Sequence, residues 1–183
     1  MSKNILVERR KKQIDPKEVV HYYTDGGVKQ RSGSAAFLRK GFGLKPKEVV
    51  RFYKQSKKMS TTDCEIRAVR LAVEDAISEG FDLEKVVIHT DQIALSRFII
   101  KDKTAKLRLL RDELQDLGVN VVHTRSTHDL DYYNGIPEEE IPARVKNSLR
   151  VHNLVNEAFG KRNRWQNHVC KKNRRERKYK KIA

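Results

Sequence analysis

Three acidic residues stand where the residue pattern predicts that secondary-structure elements begin or end. Asp25 ends a strand-like run, Glu65 lies in the first turn of a predicted helix, and Asp91 ends another predicted strand. If these elements pack together, the three carboxylates repel one another strongly unless a hard divalent cation lies among them. The three acids together therefore predict a divalent-metal site.

Each acid also has an ordinary structural interpretation. Asp25 precedes Gly26 and Gly27, and Asp is a common turn residue. Glu65 could be a first-turn acid favoured by the helix dipole, and Asp91 could be the N-cap of the helix that follows it. The metal hypothesis depends on all three side chains meeting in space.

The elements that must position these acids follow from the hydrophobic periodicity. Strand-like runs of β-branched and aromatic residues are followed by stretches in which apolar residues recur at helical spacing. Asp63 and Gly80 are the expected start and end signals of the first helix. Glu65 shares a helical stripe with Val69 and Ala72, so its side chain should face the sheet. Strands are predicted at 18–24, 35–43, 48–56, 85–90 and 119–124, helices at 62–80, 92–100, 105–117 and 143–159, and a loop at 129–142.

This order predicts an α/β fold with one core. The first three strands have short connections and should form an antiparallel meander. The last two follow helical crossovers, which make neighbouring strands parallel. We therefore expect a five-stranded mixed sheet flanked by helices, with the first and fourth strands adjacent.

The positive charge is concentrated at the two ends of the chain. The formal net charge is +16, and residues 161–183 hold eleven Lys or Arg against one Glu. We divide the chain into a basic N-terminal extension (1–17), a folded domain (18–160) and a basic C-terminal tail (161–183). Such runs are often only solvated or disordered, but they also bind polyanions by releasing counterions, which favours a nucleic-acid partner.

Other features exclude some classes of protein. No apolar run is long enough to span a membrane, the tail lacks the apolar face of an interfacial helix, and the N-terminus has no signal-peptide hydrophobic region. Cys64 and Cys170 belong to no closely spaced Cys or His cluster, so neither a disulfide framework nor a structural zinc site is expected. We expect a cytoplasmic protein.

In sequence order, these motifs resemble those of ribonuclease H type 1. The resemblance covers roughly residues 18–160. It rests on Tyr23-Thr24-Asp25-Gly26, Thr61-Thr62-Asp63-Cys64-Glu65, Thr90-Asp91 and the placement of His128 after the fifth strand. It implies a ribonuclease H-like fold with Asp25, Glu65 and Asp91 as metal ligands and His128 assisting proton transfer or product release.

The last helix departs from the family pattern. The family carries a fourth acid in a pattern like Asn-x-x-x-Asp-x-Leu-Ala, and the corresponding stretch here is HNLVNEAF, which places Asn156 at the acid position. Asn156 is therefore the implied fourth catalytic and metal residue, with no negative charge of its own. Glu157 is turned away by one helical step, and Asp129 or Asp131 could substitute if the loop folds back.

The resemblance also implies an activity and a cofactor. The family hydrolyses the RNA strand of RNA/DNA hybrids with two Mg²⁺ ions, for which Mn²⁺ can substitute. Asp25 would bridge the two ions. The weaker site left by Asn156 should favour Mn²⁺ over Mg²⁺.

A larger set of residues is expected to contact nucleic acid. Thr61, Thr62 and Gln92 occupy positions where the family contacts its substrate, and cations of the loops and tail would add affinity, with Trp165 and Tyr179 among the tail charges. These cations are Lys101, Lys103, Arg125, Arg164, Lys171, Lys172, Arg174 and Arg175.

Three alternatives stay open from the sequence. The chain could bind nucleic acid on the same fold with a weakened or inactive site, or it could be a structure-selective, resolvase-like nuclease acting on branched DNA. It could also be a small basic ribosome-associated or packaging protein in which the acids are turns and caps. The sequence does not decide the oligomeric state, for which a monomer is the default.

Overall fold

The computed structural model describes residues 18–29, 32–41, 43–54, 59–96, 105–124, 133 and 136–160. Within these residues the predicted five-stranded mixed sheet is confirmed. The strands are β1 (Val20–Lys29), β2 (Ser32–Gly41), β3 (Lys47–Lys54), β4 (Val86–Thr90) and β5 (Asn120–His123). Their order across the sheet is β3-β2-β1-β4-β5. β1, β2 and β3 pair antiparallel, whereas β4 pairs parallel with both β1 and β5.

Four α-helices accompany the sheet. They are α1 (Thr61–Ser78), α2 (Ile93–Ser96), α3 (Ala105–Asp116) and α4 (Ala143–Ala158). The described part of α2 ends at Ser96, and the rest of the helix predicted at 92–100 lies outside the described residues. None of the described helices is long and apolar enough to cross a bilayer.

The start of α1 differs from the prediction. Ser60 is its N-cap and accepts a hydrogen bond from the Asp63 N–H, while the Asp63 carboxylate accepts one from the Ser60 N–H. Asp63 is therefore the third residue of a capping box rather than the cap itself. The end of the helix is as expected, because Gly80 has the left-handed φ of 72° that favours glycine.

The first strand is longer than the prediction. The turn expected at Asp25-Gly26-Gly27 does not occur there, because these residues pair with Ala36, Ala35 and Ser34 of β2 and β1 continues to Lys29. Asp25 therefore lies inside β1 and not at its end. A turn signal read from local sequence was overridden by pairing with a neighbouring strand.

The sheet is covered on both faces. One core packs α1 and α3 against the sheet, with Tyr22, Phe37 and Ile88 almost fully buried. The other packs α4 against Tyr23, Ala36 and Leu38 through three apolar side chains of the helix. These helix residues are Val151, Leu154 and Val155. Burying an apolar side chain of this size contributes about 1.5–3 kcal/mol, so α4 is held in a definite rotation beneath β1 and β2.

A buried ionic cluster joins α1 to the first three strands. Asp75 of α1 accepts hydrogen bonds from Tyr22 Oη at 2.8 Å, Arg39 Nη1 at 3.0 Å and Lys47 Nζ at 2.5 Å. The Asp75 and Arg39 side chains are only 8% and 9% exposed. Glu79 also contacts both cations. These three donors, two of them cations, offset the cost of removing the Asp75 charge from water.

Candidate metal centre

Asp25 and Asp91 are brought together by the parallel pairing of β1 and β4. The register runs from Val20 opposite Val86 to Tyr23 opposite His89. Asp25 lies two residues beyond the last pair on β1, and Asp91 lies two residues beyond it on β4. Because parallel strands run in the same direction, the two acids leave the paired region at the same edge.

Glu65 reaches the same place through a close backbone contact between α1 and β1. A Cβ atom built on Gly26 would lie 2.3 Å from the carbonyl carbon of Cys64 and 2.4 Å from the backbone nitrogen of Glu65. No side chain fits in that space. Glycine at position 26 therefore allows the first turn of α1 to rest on the strand beside Asp25.

The three acids converge as the sequence predicted. One carboxylate oxygen from each of Asp25, Glu65 and Asp91 lies within 4.8 Å of the others. Oxygens at this separation can share one small cation or a pair of cations. Their convergence does not by itself assign a role, but it is the arrangement that the metal hypothesis requires.

The electrostatics of the cluster favour the uncharged forms of two of the acids. Glu65 is only 2% exposed. Its burial and the nearby charges of Asp25 and Asp91 hold the Glu65 pKa well above its usual range. Burial, followed by the charge of Asp25, also raises the pKa of Asp91. Without a cation, these carboxylates destabilise one another when ionised.

Two of the carboxylate oxygens also lack a partner. Among the described residues, Glu65 Oε2 and Asp91 Oδ1 are fully buried and have no hydrogen bond. A buried carboxylate oxygen without a donor is costly, and a divalent cation is the ligand that would satisfy it. The residues present therefore fit a hard divalent metal ion.

Helix α4 adds a side chain that the sequence interpretation did not assign. His152 Nδ1 lies 2.9 Å from Asp25 Oδ2. Asn156, the residue predicted at the fourth position, is half-buried one turn further along the helix, and no hydrogen bond joins its side chain to the three acids among the described residues. The role of Asn156 stays a prediction. His152 could have been found as the residue four positions earlier on the same helical stripe.

A second histidine influences the cluster from β5. His123 pairs in register with Thr90, the residue before Asp91. The charges of His123 and His152, when protonated, act to lower the pKa of Asp91 against the larger effect of burial. His128, the histidine predicted to move protons, lies outside the described residues.

Three of the residues predicted to contact nucleic acid lie within the described part of the chain. Thr61 and Thr62 are the first residues of α1, and the Gln92 N–H donates to Thr90 Oγ1 at 3.1 Å. The remaining predicted contacts lie outside the described residues, namely Lys101, Lys103, Arg125, Arg164, Lys171, Lys172, Arg174 and Arg175.

A groove of about 520 Å³ opens beside the start of α1, with three cations around an apolar floor. Its lining residues are Met59, Asp63, Ile66, Arg67, Arg70, Lys106 and Leu109. Lys106 pairs with Asp63, and Arg70 pairs with Glu113. Arg67 stacks over Tyr53 and has no carboxylate partner in the described part of the chain. This unpaired cation lies two residues from Glu65.

Comparison with solved structures identifies ribonuclease H proteins of similar fold. LC11-RNase H1 in complex with an RNA/DNA hybrid is similar with a TM-score of 0.50 and 20% identity, covering 75% of this chain and 94% of that chain. The protease-reverse transcriptase of prototype foamy virus has a TM-score of 0.51 and 13% identity, covering 79% of this chain but only 21% of that chain.

A third similar structure is RNase H1 from the halophilic archaeon Halobacterium salinarum NRC-1, with a TM-score of 0.47 and 17% identity over 61% of this chain and 89% of that chain. No protein-family model matches the sequence, and no curated protein sequence matches it either. At these identities the similarity concerns the fold alone. The five-stranded mixed sheet with its flanking helices is a ribonuclease H-like fold.

Proposed function

We propose that this protein is a metal-dependent endonuclease that hydrolyses the RNA strand of RNA/DNA hybrids. The observation that carries the proposal is the cluster of half-buried Asp25 and Asp91 with buried Glu65, in which two carboxylate oxygens have no hydrogen-bond partner in the described part of the chain. The cluster lies on a ribonuclease H-like fold. Acids that served only as turns or caps would have no reason to converge on one point.

Asp25, Glu65 and Asp91 would hold the divalent ions, of which Mg²⁺ is the expected species. When bound, such ions supply positive charge that activates water and stabilises a leaving oxygen. The protein residues provide the rigid frame. The Gly26 N–H donates to Asp25 Oδ1 at 2.8 Å, and the rest of the cluster is held by β4 and by the first turns of α1.

The substrate class is supported by charge and by a relative. LC11-RNase H1 was crystallised with an RNA/DNA hybrid. In this protein, the groove beside the start of α1 presents Arg67 together with the paired cations Arg70 and Lys106, and the tail adds eleven cations. The positive charge of the groove and of the tail suits a phosphate backbone, whose binding is driven by counterion release. Recognition of RNA against DNA would rest on the 2′-hydroxyl.

The test is cleavage of four end-labelled substrates with Mg²⁺ or Mn²⁺. They are an RNA/DNA hybrid, double-stranded RNA, duplex DNA and a four-way junction. We expect cleavage of the RNA strand of the hybrid, and its loss in Asp91→Asn with hybrid binding retained in a gel-shift assay. Binding without cleavage by the wild type in either metal would contradict the proposal and favour a non-cutting nucleic-acid binder, whereas cleavage of the junction alone would favour a resolvase.

A further inference from the structure

His152 is the side chain of α4 that contacts the acid cluster directly. Its Nδ1 atom is 2.9 Å from Asp25 Oδ2, and its side chain is 23% exposed against 16% for Asp25. In the absence of a cation, a contact of this length between two lone-pair atoms needs a proton between them. The same two atoms become a pair of metal donors once that proton is displaced.

We propose that His152 is a metal ligand of this site and binds an ion together with Asp25. The imidazole lies outside the group formed by the three carboxylate oxygens and would therefore join the site from the Asp25 side. The proposal rests on the metal site of the proposed function and deepens it. Two donor atoms that each lie about 2.1 Å from one metal ion, with a right angle between the two bonds, are about 3 Å apart. The separation of His152 Nδ1 and Asp25 Oδ2 matches that spacing.

Packing holds the imidazole in place. The neighbours of His152 on either side, Val151 and Asn153, are 0% and 3% exposed. Val151 belongs to the core beneath β1 and β2, so the helix cannot rotate to bring a different residue against Asp25 without losing that core. Glu157, the one acid of α4, pairs with Arg150 at 3.1 Å, whereas the His152 imidazole contacts Asp25.

An imidazole ligand changes which metal ions the site prefers. Mg²⁺ binds oxygen donors and keeps water in its remaining positions, whereas Mn²⁺ and later transition ions accept imidazole nitrogen more readily. His152 should therefore increase selectivity for Mn²⁺ over Mg²⁺. Any carboxylate site prefers Mn²⁺ to some degree, so the quantity to measure is the change in the affinity ratio on replacing His152.

The experiment measures metal binding directly, without nucleic acid. Titration calorimetry with Mn²⁺ and with Mg²⁺ compares the wild type with His152→Gln, His152→Asp and Ser148→Ala, each checked for folding by circular dichroism. Ser148 is the matched control, because it lies one turn earlier on α4 and its hydroxyl donates to the Arg144 carbonyl of its own helix. We expect His152→Gln to weaken Mn²⁺ binding about tenfold with little change for Mg²⁺.

The acidic variant should change the binding of Mg²⁺, which the amide variant leaves almost unaffected. His152→Asp should strengthen Mg²⁺ binding and lower the Mn²⁺/Mg²⁺ affinity ratio about tenfold, while Ser148→Ala keeps the ratio. Pulsed electron paramagnetic resonance of the Mn²⁺ form should show coupling to an imidazole nitrogen that His152→Gln removes. An affinity ratio within twofold of the wild type in both His152 variants would overturn the proposal.

The two proposals fail in different ways. One outcome is that Mn²⁺ binds, that Asp91→Asn abolishes this binding and that no nitrogen coupling is present. His152 is then only a hydrogen-bond partner of Asp25, and the nuclease proposal stands. If Mn²⁺ does not bind, or binds unaffected by Asp91→Asn, then the metal site and this inference are both wrong.

Discussion

Gly26 and Cys64 lie backbone to backbone, so close that a methyl group on Gly26 would overlap the Cys64 carbonyl carbon at 2.3 Å. This contact sets the distance between β1 and the first turn of α1, and with it the distance between Asp25 and Glu65. The glycine is therefore as much a part of the candidate metal centre as the acids, although it offers no ligand.

Gly26→Ala should separate α1 from β1 and disrupt the cluster. Because the clash is with backbone and not with a flexible side chain, we expect a loss of about 2–4 kcal/mol in unfolding free energy and at least a hundredfold weaker divalent-metal binding. Denaturant unfolding and calorimetry measure the two effects. Gly27→Ala is the matched control, since its Cβ would meet side chains and not backbone, namely Val155 Cγ1 at 2.8 Å and Phe159 Cε2 at 3.6 Å. Similar losses in both variants would count against a specific backbone contact.

Glu65→Gln should stabilise the metal-free protein at pH 8. The pKa of Glu65 is raised by burial and by Asp25 and Asp91, so its ionised form costs stability above that pKa and the cost disappears as the pH falls. We expect the amide to raise the unfolding free energy by about 1–3 kcal/mol and to remove the thermal stabilisation that Mg²⁺ gives the wild type. Glu74→Gln, an exposed acid of the same helix, should change little. A destabilised Glu65→Gln variant would contradict the repulsion argument.

Asp75→Asn should destabilise the fold without touching the metal centre. Loss of the carboxylate leaves the buried Arg39 charge with only the more exposed Glu79 as an acidic partner among the described residues, so we expect a cost of up to about 3–5 kcal/mol. The exposed Arg70–Glu113 pair is the comparison, and Glu113→Gln should cost less than about 1 kcal/mol. Urea unfolding of both variants checks the difference. Equal effects would show that the buried cluster contributes no more than a surface pair.

His89 should make the protein less stable as the medium becomes mildly acidic. Burial, with the charges of His21 and Arg144, lowers the pKa of His89 from 6.5 to about 4. Between these pH values the unfolded chain binds a proton that the native state does not bind. The stability that neutral His89 contributes is therefore complete above pH 6.5 and is lost as the pH falls toward 4. Across that window it amounts to about 3 kcal/mol.

The measurement is the unfolding free energy of the wild type and of His89→Gln at pH 7.5 and at pH 4.5. The variant also loses the stacking of the ring on Tyr23, whose centroid is 4.4 Å away, and should be less stable at pH 7.5. The difference in unfolding free energy between the two proteins should narrow or reverse at pH 4.5, because only the wild type loses the contribution of His89. The titrations of acidic groups that both proteins share cancel in this difference. Parallel pH profiles would show that His89 titrates normally.

Removal of residues 161–183 should weaken nucleic-acid binding in a salt-dependent way. Each phosphate that the tail neutralises contributes about 0.9 to the slope of log affinity against log salt. We expect truncation to lower the slope by several units and the affinity at 100 mM salt by at least about tenfold, measured by fluorescence anisotropy of a labelled hybrid. Removal of residues 1–12, which hold five Lys or Arg against one Glu, should have a smaller effect. An unchanged slope would show that the tail does not bind the backbone.

The sequence by itself determined the element types, their order and the sheet topology. The switch from a period of two to a period of 3.6 locates α1, and helical crossovers make β4 and β5 parallel whatever the details of packing. Asp25, Glu65 and Asp91 could be singled out because each was predicted at or near the boundary of an element whose position in the sheet was predictable, although Asp25 lies inside β1.

Only the tertiary structure decided how β1 ends and which side chain of α4 meets Asp25. Asp25-Gly26-Gly27 has the local chemistry of a turn, but pairing with Ala36, Ala35 and Ser34 keeps it extended. On α4, His152 and Asn156 share one stripe, and the choice between them depends on how Val151 and Leu154 seat the helix beneath the sheet. Local propensity specifies the period of a helix, whereas its rotation against a neighbouring strand is set by packing between residues distant in the chain.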